Sequence, residues 1–317
     1  MVKGGFLSPF LLLITLLVAT FACQFSSMFL VKVISLLPFW FLYGISDFAA
    51  FVGRRIVRYR LRVVRRNLDI AFPDKTKAEK RSIEREFYRH FLATFVELFK
   101  SYRFTKADWE ARFELVNRDE LEKLVEAGIP VIALSGHKAN WEWNGCVMGA
   151  TNNCDVDFVY KKVQNKFFDN LMINLRTKHV HRVIEKEESG KEMLRNKYPR
   201  IMGMVADQSP MLRSKKVWVD FFNRATAFYP GTNKIARIGG YAVYFVHVEK
   251  VKRGYYKLEY KQIAVPPIGK EVNVIQAYAS LLEESIKLNP SGYLWSHKRW
   301  KYSKAEADAA MAEQKNK

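Results

Sequence analysis

From about residue 129 the chain alternates short, unbroken apolar runs with stretches of helical character, and this rhythm restricts the fold more than any other feature. The runs cover 131–134, 156–160, 180–184, 201–206, 217–221 and 242–248, with helix-like segments at 139–150, 165–177 and 231–239 between several of them. Apolar runs of about four to eight residues separated by helices mark strands buried on both faces of a sheet. The pattern predicts an α/β core, a sheet covered by helices, over residues 128–302. A late hairpin strand is expected at 251–263 and a helix at 271–288, with no internal repeat and no long linker.

Upstream of this core, residues 78–102 read as one long helix, with Ile83, Phe87, Phe91 and Phe95 recurring every fourth position. Thr76 three residues before Glu79 has the spacing of a capping box. His90 lies inside that helix and is expected to be structural. The remaining segments are a basic juxtamembrane and helical region at 54–127, an anchor at 1–53 and a polar tail at 303–317.

The anchor is expected because residues 4–31 carry no charged side chain, and the only one before them is Lys3. Roughly 20 residues of helix cross a hydrocarbon core of about 30 Å, so 6–26 is a spanning candidate. A second apolar stretch at 33–52 contains Pro38 and Asp47, and either completes a hairpin or lies in the interface. Arg54, Arg55, Arg58, Arg60, Arg62, Arg65 and Arg66 follow directly, which places them and the core on the cytoplasmic side by the positive-inside rule. A cleaved signal ending near Cys23 is the alternative; Thr20-Phe21-Ala22 fits such a site poorly.

A net charge of +20 suits a polyanionic partner: an anionic leaflet, a phosphorylated lipid, an acidic carrier protein or nucleic acid. The densest arginines follow an apolar segment and no nucleic-acid reader motif is visible, so nucleic acid is not expected. Three cysteines, Cys23, Cys146 and Cys154, form neither a disulfide framework nor a zinc ribbon.

The chemistry concentrates in Ser135-Gly136-His137-Lys138-Ala139-Asn140-Trp141-Glu142. An apolar strand ends at Leu134, Ser135-Gly136 turn, and a helix is expected to begin near Ala139, which puts His137 at the carboxyl end of a strand, where α/β folds place their sites. On one continuous helix, an offset of five residues would set His137 and Glu142 about 140° apart. With His137 in the turn, its imidazole can fold back onto the Glu142 carboxylate. A carboxylate on one ring nitrogen leaves the other as a general base. That is the His–Asp half of a serine-hydrolase triad without the serine.

H-x-x-x-x-D/E after a strand resembles the first motif of glycerolipid acyltransferases, and the fuller context resembles the bacterial lipid A (lauroyl/myristoyl) acyltransferases. Further blocks resemble that family in order. They are Arg65-Arg66-Asn67-Leu68 with Phe72-Pro73; Phe87-Tyr88-Arg89-His90-Phe91; Val159-Tyr160-Lys161; Ala206-Asp207-Gln208; Phe221-Phe222-Asn223-Arg224; and Trp295-Ser296-His297-Lys298-Arg299-Trp300-Lys301. The lysine at 161 departs from the family's more usual arginine. The resemblance implies a mixed sheet flanked by helices, with an amino-terminal transmembrane or interfacial segment. It implies an inner-membrane O-acyltransferase facing the cytoplasm that moves an acyl chain from acyl carrier protein or acyl-CoA to a hydroxyl of a lipid A precursor. His137 would be the base and Glu142 its orienting partner; Asn140, Lys161, Asp207, Gln208 and Arg224 would contact substrate or shape the site. No cofactor or metal is implied.

Other readings stay open beside this one. The acceptor could be an ornithine or glycine lipid or a lysophospholipid, and a basic, non-catalytic membrane scaffold would share the charge pattern. Cys146 could be offered as an acyl nucleophile but has no base placed for it. His179 and His181 could share a strand face as metal ligands but lack a third ligand nearby. His247 reads as a core histidine, and no G-x-S-x-G, P-loop or G-x-G-x-x-G is present.

Overall fold

A computed structural model describes residues 27–315. The expected span at 6–26, with Cys23, lies outside them. Seven strands make one mixed sheet in the order β1 (Phe113–Val116), β9 (Tyr255–Ala264), β8 (Ala242–Lys252), β2 (Val131–Ser135), β5 (Ile201–Val205), β3 (Val156–Tyr160) and β4 (Arg182–Glu185). β8, β2, β5, β3 and β4 run parallel, and the β8–β9 hairpin reverses direction, so that β1 and β9 are antiparallel to the rest.

Alternation along β2 shows why its run is apolar throughout. Ile132 and Leu134 pack into one cluster with Met202, Val243, Phe245, Tyr278 and Leu282. Val131 and Ala133 point the other way, into a second cluster with Trp109, Trp143, Ala242 and Tyr244. Successive side chains on a strand take opposite faces, and here both faces are covered.

The expected helices form at Trp141–Thr151 (α7), Lys166–Thr177 (α8), Gly231–Gly239 (α10) and Val274–Leu288 (α11). The long upstream helix runs Lys77–Lys100 (α4), and its Thr76–Glu79 capping box is closed in both directions. The run at 217–221 is a correction: Val217–Asp220 (β6) pairs only with Ala225–Phe228 (β7) in a separate antiparallel hairpin. The edge strand β1 and the short helices Lys106–Arg112 (α5), Arg118–Glu126 (α6) and Lys186–Arg195 (α9) carry too few periodic residues to be legible in sequence.

Ahead of the core, Ser27–Leu36 (α1) and Phe39–Arg55 (α2) are broken at Pro38, and Leu61–Ala71 (α3) follows. Among the described residues no single helix is long and apolar enough to cross a membrane; α1 and α2 together meet that test but are bent by 114°. α2 buries Leu42, Ser46, Ala50 and Gly53 and packs along α4. Asp47, costly in a lipid-surrounded helix, is instead paired with Arg253 at 2.7 Å and Arg89 at 3.3 Å.

At Gly149, α7 lies against the backbone of the turn between α8 and β4, because a Cβ there would run into the carbonyl of His179. Gly149→Ala is expected to destabilise the protein by roughly 1–3 kcal/mol, as overpacking against immovable backbone does. Thermal denaturation of the two proteins checks this, and equal melting temperatures would show that α7 can slide.

Candidate active site

Strand register builds the site. β2 and β5 pair in parallel with Ser135 opposite Val205, so residues two places beyond each strand end emerge side by side. Those residues are His137 and Asp207. Asp207 clamps His137 twice: its Oδ1 lies 2.5 Å from the imidazole Nδ1, and its Oδ2 accepts the His137 backbone N–H at 3.1 Å. Burial of Asp207 would raise its pKa, but the His137 charge and these hydrogen bonds prevail and hold it down at about 2. An ionised Asp207 places the ring proton on Nδ1 and leaves the lone pair on Nε2. The Gln208 amide Nε2 sits 3.2 Å from that nitrogen and donates to it.

The imidazole side chain keeps 16% of its surface open while Asp207 keeps 3%. The imidazole is therefore reachable from solvent and the carboxylate that holds it is not. Around them, Leu294 N–H donates to the His137 carbonyl at 2.9 Å and Ala139 N–H to the Gly292 carbonyl at 2.9 Å. Tyr278 OH donates to the Ser135 carbonyl at 2.7 Å. The 295–301 segment is partly buried beside this turn, with Lys298 and Lys301 exposed. Trp295 and Arg299 are buried, Arg299 Nη1 donates to Ser209 Oγ at 3.0 Å, and His297 Nε2 accepts the Ser209 N–H at 3.1 Å. Burial lowers the His297 pKa to about 4, consistent with an acceptor nitrogen.

Glu142 departs from the expected contact with His137. Ala139 takes a left-handed backbone (φ 51°), Asn140 caps the helix through Trp143 N–H at 3.0 Å, and α7 begins at Trp141 rather than near Ala139. This corner turns Glu142 toward α8, where Arg176 grips it from Nη2 at 2.8 Å and Nε at 3.1 Å. Trp141 Nε1 donates to it at 3.2 Å. His137 remains within the same corner, its ring 5.7 Å from that of Trp141.

The other expected site residues divide. Gln208 and Asp207 are at the imidazole. Asn140 is buried and occupied: besides capping α7, it donates to Glu97 Oε2 at 2.6 Å, so it shapes the corner and is not open to substrate. Lys161, beyond β3, is exposed, and Arg224 is exposed at the tip of the β6–β7 hairpin. Neither side chain makes a hydrogen bond or ion pair among the described residues. Sequence reasoning missed the Asp207–His137 and Arg176–Glu142 pairs. The apolar runs end three residues before His137 and one before Asp207, so the matched offset appears only once the strands are seen to end at Ser135 and Val205.

The alternative nucleophile Cys146 is buried in α7, and burial pushes its thiol up to about 12. His179 is half-buried with its ring edge-on to Trp109, whereas His181 hydrogen-bonds Asp157 at 3.1 Å, so the two imidazoles serve separate structural contacts. His90 and His247 are buried, with pKa values lowered by burial to about 3 and about 4.

The family model described as bacterial lipid A biosynthesis acyltransferase matches residues 13–302 of this chain. No curated protein matches it.

The depressed Asp207 pKa carries a stability signature. A carboxylate held below its unfolded value of about 3.9 contributes fully above that pH, and the contribution disappears as pH falls toward about 2. Denaturation of wild type and Asp207→Asn should differ by on the order of 2 kcal/mol at neutral pH, with the gap closing between about pH 4 and 2. A gap that stays constant down to pH of about 2 would mean that the carboxylate is not held by His137.

Proposed function

The chain belongs to the bacterial lipid A biosynthesis acyltransferase family and is an acyltransferase; from that premise we propose that it moves a fatty acyl chain from a thioester donor to a hydroxyl of a lipid A precursor, with His137 as general base. The observation that carries this mechanism is the Asp207 clamp, which presents Nε2 as a lone pair at a partly open surface. The acceptor hydroxyl displaces the Gln208 amide from Nε2 and loses its proton there as its oxygen attacks the thioester carbonyl. The C–S bond then breaks, and the imidazolium returns the proton to the departing thiolate. Gln208, moved off the nitrogen, keeps an amide N–H that can donate to the developing oxyanion. Glu142 acts through Arg176 as a positioning residue that fixes the start of α7, and with it the His137 corner.

The donor's acidic carrier protein, or CoA, and the acceptor's phosphates are anions, and a chain of net charge +20 favours both. Lys161 and Arg224, exposed and unpaired among the described residues, are suited to binding such phosphates. The membrane reading places the core at the cytoplasmic face of the inner membrane, supported by the exposed apolar face of α2 and the arginines after it.

Two measurements test this. In acyl transfer by the purified full chain, His137→Ala and Asp207→Asn should each lose roughly 10³–10⁴ in kcat, the latter because an amide no longer enforces the tautomer. Glu142→Gln should lose far less, and a loss equal to that of His137→Ala would return the orienting role to Glu142. Mass spectrometry of lipids from a strain lacking the protein should show lipid A short of one acyl chain. Intact lipid A with a missing aminolipid would reassign the acceptor.

A further inference from the structure

Where α2 ends, the chain turns a corner through two left-handed arginines. Arg58 and Arg60 both take left-handed backbone (φ 53° and 50°), a conformation disfavoured for a residue with a Cβ. The neighbours hold it there: Tyr59 N–H donates to the Gly53 carbonyl at 2.9 Å, Tyr88 OH to the Tyr59 carbonyl at 2.5 Å, and Arg60 Nη1 to the Ser296 carbonyl at 3.0 Å. The corner is fixed, and it shapes a recess of about 280 Å³ lined by Arg54, Arg55, Arg58, Leu61, Arg65 and Glu84.

Glu84 organises this recess. It is 1% exposed and projects from α4 between two guanidiniums, accepting from Arg54 Nε at 2.8 Å and from Arg65 Nε at 2.7 Å. Each arginine is held through Nε alone, so its terminal Nη groups have no hydrogen-bond partner among the described residues. Arg55 and Arg58 are exposed and have no carboxylate partner among them either. Four arginines against one carboxylate leave an excess of three positive charges around a space of molecular size. Like charges are not gathered around a buried carboxylate for stability alone, since one arginine would neutralise it.

The adjoining surface says what fills it. The outward stripe of α2, one helical face from Phe41 through Ile45, Phe48 and Phe51, is exposed up to the recess, with Phe48 at 69% and Phe51 at 57%, and Ile56 continues it at 68%. An apolar stripe that ends in a basic recess has the profile of a lipid, with acyl chains along the stripe and a phosphate ester at its end.

We infer that the Arg54–Arg55–Arg58–Arg65 recess, organised by Glu84, binds the phosphate of an anionic glycerophospholipid whose chains lie against α2. The inference rests on the membrane reading above for its source of phosphate, and is independent of the His137 chemistry.

The test uses the full chain in nonionic detergent, titrated with short-chain phosphatidylglycerol or phosphatidylcholine and read by native mass spectrometry. Wild type should bind phosphatidylglycerol in preference, and Arg55→Ala/Arg58→Ala should weaken that binding by about tenfold or more. Arg62→Ala/Arg66→Ala removes the same charge from exposed positions outside the recess and should weaken it much less. Glu84→Gln gives opposite signs for two physical pictures. Diffuse attraction predicts tighter binding because a negative charge is gone, whereas a built recess predicts weaker binding because Arg54 and Arg65 lose their shared anchor. A melting curve confirms that the Glu84→Gln protein is folded, and the arginine variants keep the question decidable if it is not. Equal losses for both arginine pairs, tighter binding by Glu84→Gln, or displacement of the lipid by inorganic phosphate at equal concentration would each overturn the proposal. Unchanged lipid binding with a raised KM for the acylated lipid acceptor would assign the recess to the acceptor's phosphate and overturn the present occupant. Because His137→Ala should bind phosphatidylglycerol as wild type does, failure of the catalytic reading and failure of this one are separable.

Discussion

The structure depends on a carboxylate that reaches across two parallel strands. Asp207 holds both the backbone N–H and the Nδ1 of His137, so one residue fixes the position of the turn and the tautomer of its ring. Neither contact exists unless β2 and β5 are adjacent and in register, and that register is set by apolar side chains on both faces of the sheet. The orientation of the His137 ring is thus a consequence of core packing.

Behind this contact lies a second polar layer that ties the amino-terminal helices to the His137 corner. Glu97 of α4 is fully buried, and burial raises its pKa. It accepts from Tyr43 OH of α2 at 2.8 Å, Tyr256 OH of β9 at 2.7 Å and Asn140 Nδ2 at 2.6 Å. The same Asn140 caps α7, so the end of the His137 turn is fastened to the helix that α2 packs upon. Buried polar groups joined in this way fix relative positions because any member left unpaired would lose its solvation without compensation. The apolar surface of α2 and the site at His137 therefore share one rigid support.

The two carboxylates near His137 show how an apparent motif can be divided by geometry. Spacing brings Glu142 close in sequence, but the left-handed Ala139 and the Asn140 cap rotate it toward Arg176. The distant Asp207 takes the place at the ring. Proximity along the chain mattered less than the parallel exit of two strands.

The alternating apolar runs were sufficient to predict the central strands, the helices over them and the strand-end position of His137. Periodicity and capping are local, and the long α4 with its Thr76–Glu79 box follows from them directly. The ordered family blocks, likewise a property of the chain alone, carried the acyltransferase assignment. What the sequence could not decide were the pairings between residues far apart in it: the separation of the β6–β7 hairpin from the main sheet, the edge position of β1, the Glu84 anchor under the arginines, and the choice of Asp207 over Glu142. Strand order and side-chain direction are set by the packing of the whole core, because each strand's partner is chosen by the surfaces that all the others leave exposed.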